Sequence, residues 1–265
     1  MTRERWRTPK DRRFAESTAR LPPVTLVVAA ILALAACARR ASPPAPLEPA
    51  IAERVARYGP AARARLAPYF AAARIAYPPK RFVLVGFKLE RELHLLASRP
   101  DGGLAFIRSY PILGASGTLG PKLREGDDKV PEGFYRIVYL NPDSVAHLSL
   151  ALSYPNDYDR ARAADDGRDT LGADIMIHGG STSYGCLAIG DEAAEDLFVL
   201  AADAGWEDAL VVLSPVDFRK RTLPVDDGQH PAWLEDLYAR LKSELDRVPV
   251  DPAAASDGGI VVDAP

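Results

Sequence analysis

A chain of 265 residues with 48% hydrophobic and 26% charged side chains has the composition of an ordinary soluble domain. Its formal net charge is −3; setting aside the first 36 residues, with seven Lys or Arg and three acids, leaves 26 bases against 33 acids and a net −7. Nothing in that balance suggests nucleic acid as a partner, and the remaining residues suffice for one good core.

The chain begins with a basic stretch followed by the apolar run Val24 to Ala36, an export-signal pattern. The run is shorter than the roughly 20 residues a spanning helix needs, so a permanent transmembrane anchor is the weaker reading. Leu34-Ala-Ala-Cys37 resembles a bacterial lipobox, which implies cleavage before Cys37 and acylation of its thiol; ordinary cleavage after Ala36-Cys37-Ala38 is the alternative. Residues 1–37 are therefore expected to be a signal peptide on an exported, periplasmic protein, and Cys37 its lipid anchor. Residues 38–49, rich in proline, form an extended tether. Residues 50–80 are rich in Ala and Arg and are predicted to form two short helices broken at Gly59-Pro60.

From Arg81 the texture changes to short β-branched and aromatic runs: 81–87, 92–96, 104–108, 134–139, 174–178 and 209–213, separated by turn-formers such as Asp101-Gly102-Gly103. Residues 81–222 are thus expected to be an α+β, β-rich domain. Asp191 is the predicted N-cap of a helix with Ala194, Leu197, Leu200, Ala201 and Ala204 along its apolar stripe. A last helix within 223–250, from Pro231 to about Val248, carries Leu234, Leu237, Tyr238, Leu241 and Leu245 on one face, and 251–265 is expected to be a disordered tail.

The segment Ile175-Met-Ile-His178-Gly-Gly-Ser-Thr-Ser183-Tyr-Gly185-Cys186-Leu-Ala-Ile-Gly190 concentrates the chemistry. Strand alternation over 174–178 places Ile175 and Ile177 on one face and Met176 and His178 on the other. The glycines at 179, 180 and 185 allow the chain to curl back, so that thiol and imidazole can share a proton. Asp174 would lie roughly 13 Å from His178 along such a strand, too far to orient the ring, which leaves a backbone carbonyl or a distant side chain for that task. With Cys37 in the export segment, Cys186 is the one thiol of the mature chain, and in an oxidising compartment an unpaired thiol points to reactivity.

The segment resembles the L,D-transpeptidase (YkuD-like) catalytic domain, whose pattern is His-Gly followed by Ser/Thr-x-Gly-Cys, here His178-Gly179 and Ser183-Tyr184-Gly185-Cys186. The likeness extends to Gly120 through Tyr135 and Leu152 through Asp159, is strongest to the YafK-like branch, and covers roughly residues 81–219. It implies a β-sandwich catalytic domain with a helix after the catalytic turn and flanking N- and C-terminal helices. It further implies Cys186 as nucleophile, His178 as base, and Gly185 with the Cys186 amide in the oxyanion site, with Ser183, Tyr184 and Gly179 completing the turn. The substrates implied are peptidoglycan stem peptides, attacked to form a thioester that passes to an amine or to water; no metal or organic cofactor is implied. Two positions depart from the pattern: Tyr184 stands where most members have histidine, and Ala188 where most have arginine. Arg219 is a candidate replacement for the lost charge, and Lys122 and Arg124 are candidates for a substrate groove.

Three other readings are consistent with these residues: a hydrolytic amidase or carboxypeptidase of the same family, a zinc enzyme using His178 and Cys186, and a non-catalytic lipoprotein that binds the wall. A zinc site is disfavoured because no second ligand pair appears at suitable spacing. His94 and His147 sit in apolar strands or at their ends and His230 precedes a helix, so structural roles are expected for all three. The segment Pro131-Glu132-Gly133-Phe134-Tyr135 is expected to be a structural turn.

Overall fold

A computed structural model describes residues 47–223 and 230–249. The expected signal segment, Cys37, most of the tether and the tail lie outside the described residues. The order of elements is α1 (Pro49–Ala73), β1 (Phe82–Phe87), β2 (Glu92–Ser98), β3 (Leu104–Pro111), β4 (Gly133–Asn141), β5 (Ser149–Leu152), α2 (Asp157–Asp165), β6 (Met176–His178), β7 (Leu187–Ala188), α3 (Asp191–Ala204), β8 (Leu210–Ser214) and α4 (Leu234–Leu245). No helix among the described residues is long and apolar enough to cross a membrane.

The strands form one hydrogen-bonded sheet in the order β3-β2-β1-β8-β4-β5-β6-β7. Past β3, the Leu113 and Gly114 amides donate to the Ala188 carbonyl at 2.8 and 3.1 Å, and the Ala188 amide donates back to Gly114 at 2.8 Å. The sheet therefore curls until the chain beyond one edge strand meets the other edge. β1 shows why its sequence is unbroken by polar residues: Phe82 and Leu84 join a core beneath α1 and α3, while Val83, Val85 and Phe87 join a second core beneath α4. A strand covered on both faces has no solvent side on which to alternate. The α+β class and the flanking helices are as expected, and all five stripe residues of α4 are buried.

The predicted break at Gly59-Pro60 is absent: α1 is one helix of 25 residues that contains both Pro60 and Pro68. Proline removes a helical hydrogen bond and crowds the preceding turn. Here the turns after Pro60 are held from outside. Ala62, Leu66 and Phe70 are buried, Arg63 grips Asp203 with two bonds of 2.8 and 2.7 Å, and Arg65 reaches Asp196 at 2.7 Å and Glu195 at 2.9 Å. Packing against α3 decides the helix, as tertiary contacts usually do.

β5, β7 and α2 have no counterpart in the sequence reading. α2 nevertheless carries a legible signal, because the Asn156 side chain accepts the Asp159 amide at 3.1 Å while Asp159 accepts the Asn156 amide at 2.9 Å, a reciprocal capping box. Burial raises the Asp159 carboxyl to about 6, against the opposing pull of the Asn156 amide and the Tyr135 hydroxyl. The folded protein thus retains a proton that the unfolded chain loses from about pH 3.8 upward, so this group's contribution to stability falls as pH rises through 3.8 to 6. Thermal midpoints of Asp159→Asn measured over that window should lack this descending component.

Glu132 explains the Pro131–Tyr135 turn. Its carboxylate is buried and accepts from Lys88 Nζ, the Gly120 amide and the Tyr238 hydroxyl, each at 2.8 Å. Lys88 also donates to the carbonyls of Gly120 and Val130 at 3.0 and 2.8 Å, and burial lowers the pKa of its ammonium. One carboxylate therefore ties the 119–132 loop to β1 and α4. His94 is stacked edge-on between Phe87 and Phe106, and His147 pairs with Glu195 at 3.0 Å. Both are structural, as expected.

Candidate active site

β6 and β7 are adjacent and parallel, pairing Ile177 with Leu187 and His178 with Ala188, while β5 pairs Ser149 with His178 and Ala151 with Met176. Partners across a ladder share a face, so Ser149, Ala151, Met176, His178 and Ala188 face one way. Ile177 and Leu187, both fully buried, face the core. Cys186 lies in the bend one residue before β7, beside the strand that carries His178.

The imidazole is held by its own neighbour. Nδ1 lies 2.7 Å from the Gly179 carbonyl oxygen. A carbonyl can only accept, so Nδ1 carries the hydrogen and Nε2 presents a lone pair. This is the backbone carbonyl left open by the sequence. Gly179 has no room for a side chain: a Cβ there would fall 2.6 Å from Asp191 Oδ1 and 2.8 Å from the Ala146 carbonyl. Asp191, expected as an N-cap, is instead the first residue of α3 behind Gly190, and its carboxylate accepts the Gly180 amide at 2.8 Å. It anchors the loop after the histidine.

The thiol rests elsewhere than expected. The strand starts at Met176; Asp174 has φ 57° and belongs to a turn. That turn brings the Asp174 carbonyl to 3.5 Å from Cys186 Sγ, and the Met176 amide donates to the same sulfur at 3.3 Å. Among the described residues no hydrogen bond joins Sγ to the ring of His178. The expected shared proton is therefore not a feature of this conformation, because the neutral thiol has found a carbonyl acceptor. Burial raises the pKa of Cys186, the Met176 amide opposes the rise, the Asp174 carboxylate adds to it and the Lys122 charge counters it. In the free protein, the rate of Cys186 alkylation by iodoacetamide should accordingly reach its half-maximum above the pH of an ordinary thiol.

Ser183 clasps the turn, accepting the Cys186 amide at 3.0 Å and donating to the Cys186 carbonyl at 2.6 Å. Gly185, with φ 81°, donates its amide to Ser116 Oγ at 2.6 Å, and Ser116 donates to the Asp128 carbonyl at 2.6 Å. The Gly185 and Cys186 amides, expected in the oxyanion site, are thus occupied by serine hydroxyls, which must yield before either amide can receive an anion. Ser116 was not identifiable in advance, since it lies 69 residues from its partner and carries no motif.

Of the groove candidates, Lys122 is buried, donates to Asp127 at 2.7 Å, and is the one whose charge reaches the thiol; Arg124 is exposed. Arg219 is committed elsewhere, with two bonds to Asp217 at 2.7 and 2.9 Å and one to the Val248 carbonyl at 3.0 Å beyond α4. It secures the C-terminal helix and does not replace the missing arginine. Ala188 is fully buried against Gly114, whose hypothetical Cβ would lie 3.2 Å from that of Ala188. The curled edge leaves no space for a long side chain there. Tyr184 is 79% exposed. A groove of about 450 Å³ starts at Asp174 and runs past Ala151, Ser153, Tyr139 and Arg160. Strand pairing sets Tyr139 opposite Ala151, and Ala151 opposite Met176.

Residues 95–215 match the family model YkuD, the L,D-transpeptidase catalytic domain, a match over somewhat less than half of the chain. Among individual proteins, it is 38% identical over 120 residues to the Escherichia coli (strain K12) protein named "Putative L,D-transpeptidase YafK", a match covering 44% of this chain and 46% of YafK. The chain thus aligns with about half the length of the curated relatives it matches. Two solved structures share partial likeness. The helical cell shape determining protein Pgp2 from Campylobacter jejuni is 22% identical, with a TM-score of 0.42 over 51% of this chain and 48% of that one. Bdellovibrio bacteriovorus Bd1075 is 19% identical, with a TM-score of 0.39 over 62% of this chain and 56% of that one.

Proposed function

We propose that this protein is a cysteine acyl enzyme of the bacterial cell wall acting on peptidoglycan stem peptides, with Cys186 as nucleophile and His178 as general base. The observation that carries the reading is the closeness of the two groups along β6: the Cys186 sulfur accepts the Met176 amide at 3.3 Å, two residues from His178, while the Gly179 carbonyl leaves Nε2 of His178 as an acceptor. Because the thiol rests protonated, activation occurs during attack. Rotation about the Cys186 side chain brings Sγ to Nε2, which takes its proton as the Sγ–carbonyl carbon bond forms. Collapse breaks the C–N bond, the imidazolium protonates the departing amine, and a thioester remains. An acceptor amine or water then attacks the thioester, and the proton it gives up returns through His178 to sulfur. The groove from Asp174 past Tyr139 supplies a path for the peptide. Export and acylation at Cys37 belong to the same proposal and would place the domain beside its substrate.

Intact mass spectrometry after exposure to a carbapenem tests the thiol: one covalent adduct mapping to Cys186 is expected, and none at high inhibitor concentration would count against catalysis. Incubation with disaccharide tetrapeptide, with and without an amine, separates transfer from hydrolysis. A stem-binding protein without turnover is the second reading, favoured by the turned-away thiol. It requires wild-type protein that binds the stem yet gives neither adduct nor product.

A further inference from the structure

The cavity between the end of α1 and the β2–β3 turn measures about 620 Å³, a size typical of small-molecule sites. Arg74, Lys80, Arg81 and Arg99 line it, all exposed, and none makes an ion pair among the described residues. Elsewhere in the molecule Arg54, Arg63, Arg65, Arg108 and Arg219 each have a carboxylate partner. Arg99 spends only Nε, on the Leu104 carbonyl at 3.3 Å. The single acid in the lining, Asp208, is solvent-exposed and faces Arg136 at 3.7 Å. Four unneutralised cations around one cavity, in a chain of net charge −3, repel one another unless an anion joins them. Buried Ile75 and Pro79 contribute apolar wall.

We infer that this cavity is a binding site for a phosphate-bearing ligand. Three guanidinium groups match phosphate, which can accept two hydrogen bonds from each fork, and the apolar wall accommodates a sugar ring or short hydrocarbon attached to it. The site is separate from the thiol. It lies at the Leu104 end of β3, whereas β7 meets the chain at Gly114, ten residues or about 33 Å further on. It also lies at the far end of α1 from residue 49, about 37 Å for a helix of 25 residues.

Calorimetric titration of the whole chain with inorganic tripolyphosphate, alongside sedimentation with phosphatidylglycerol vesicles, tests the site. Saturable tripolyphosphate binding is expected, weakening as salt rises and at least about tenfold weaker in Arg81→Gln/Arg99→Gln, because charge-assisted contacts to the phosphate are lost. Arg57→Gln and Cys186→Ala should bind like wild type. Arg99→Gln alone serves if the double variant fails to fold. Binding to vesicles but not to tripolyphosphate would assign the phosphate to lipid. No saturable binding of either probe, or an equal loss in Arg57→Gln, would overturn the inference.

Discussion

Replacing His178 with alanine is expected to slow acylation of Cys186 by about 10²–10⁴-fold, the range a positioned general base supplies. Time-resolved intact mass measurements against a carbapenem read the rate directly. The ring should matter far less to iodoacetamide alkylation of the free protein, because burial, the Met176 amide and the charges of Asp174 and Lys122 perturb the resting thiol. A histidine variant that loses acylation but keeps the alkylation profile would show that the imidazole acts during attack. Acylation near the wild-type rate would remove His178 from the chemistry. Cys186→Ala should abolish the adduct in either case, while the fold survives the loss of two weak sulfur hydrogen bonds.

The second large effect is structural. Glu132→Ala should cost about 3–5 kcal/mol, since it leaves the buried Lys88 ammonium without its counter-charge and orphans the Gly120 amide and Tyr238 hydroxyl. For a domain of this size that corresponds to a fall in thermal midpoint of very roughly 6–20 °C by calorimetry. Replacing both members, with Lys88→Met and Glu132→Gln, should recover much of the loss, because the penalty comes from the unpaired charge more than from the missing bond. Equal destabilisation of single and double variants would contradict that account. Because the same carboxylate fixes the loop that carries Lys122 and Ser116's partner Asp128, Glu132→Ala should also impair acylation.

The site was legible where chemistry and local pattern coincide. His178, Cys186 and the glycines between them stand in one short segment, and alternation assigned Ile175 and Ile177 to the core without any coordinates. The histidine's orienting group could be narrowed to a backbone carbonyl or a distant side chain, but Gly179 could not be singled out. The resting direction of the thiol was not legible, because it depends on a left-handed backbone at Asp174, after which the strand starts later than its apolar residues suggest. Arg219 was misread for a related reason: its charge was visible, whereas Asp217 and the end of α4, which consume it, come together only in space.

What the amino-acid order determined by itself was the set of local commitments: a β-rich α+β domain, most of its strands, the stripe of α4, and a thiol and imidazole on one short turn. These follow from side-chain period and backbone freedom, which act over a few residues. Only the tertiary structure decided that α1 runs through two prolines, that the sheet curls until Gly114 meets Ala188 and closes position 188 to a long side chain, and that hydroxyls from Ser116 and Ser183 occupy the Gly185 and Cys186 amides. Each of these outcomes balances a local preference against partners tens of residues away in the chain, and the free energy of such contacts exists only once the chain has folded.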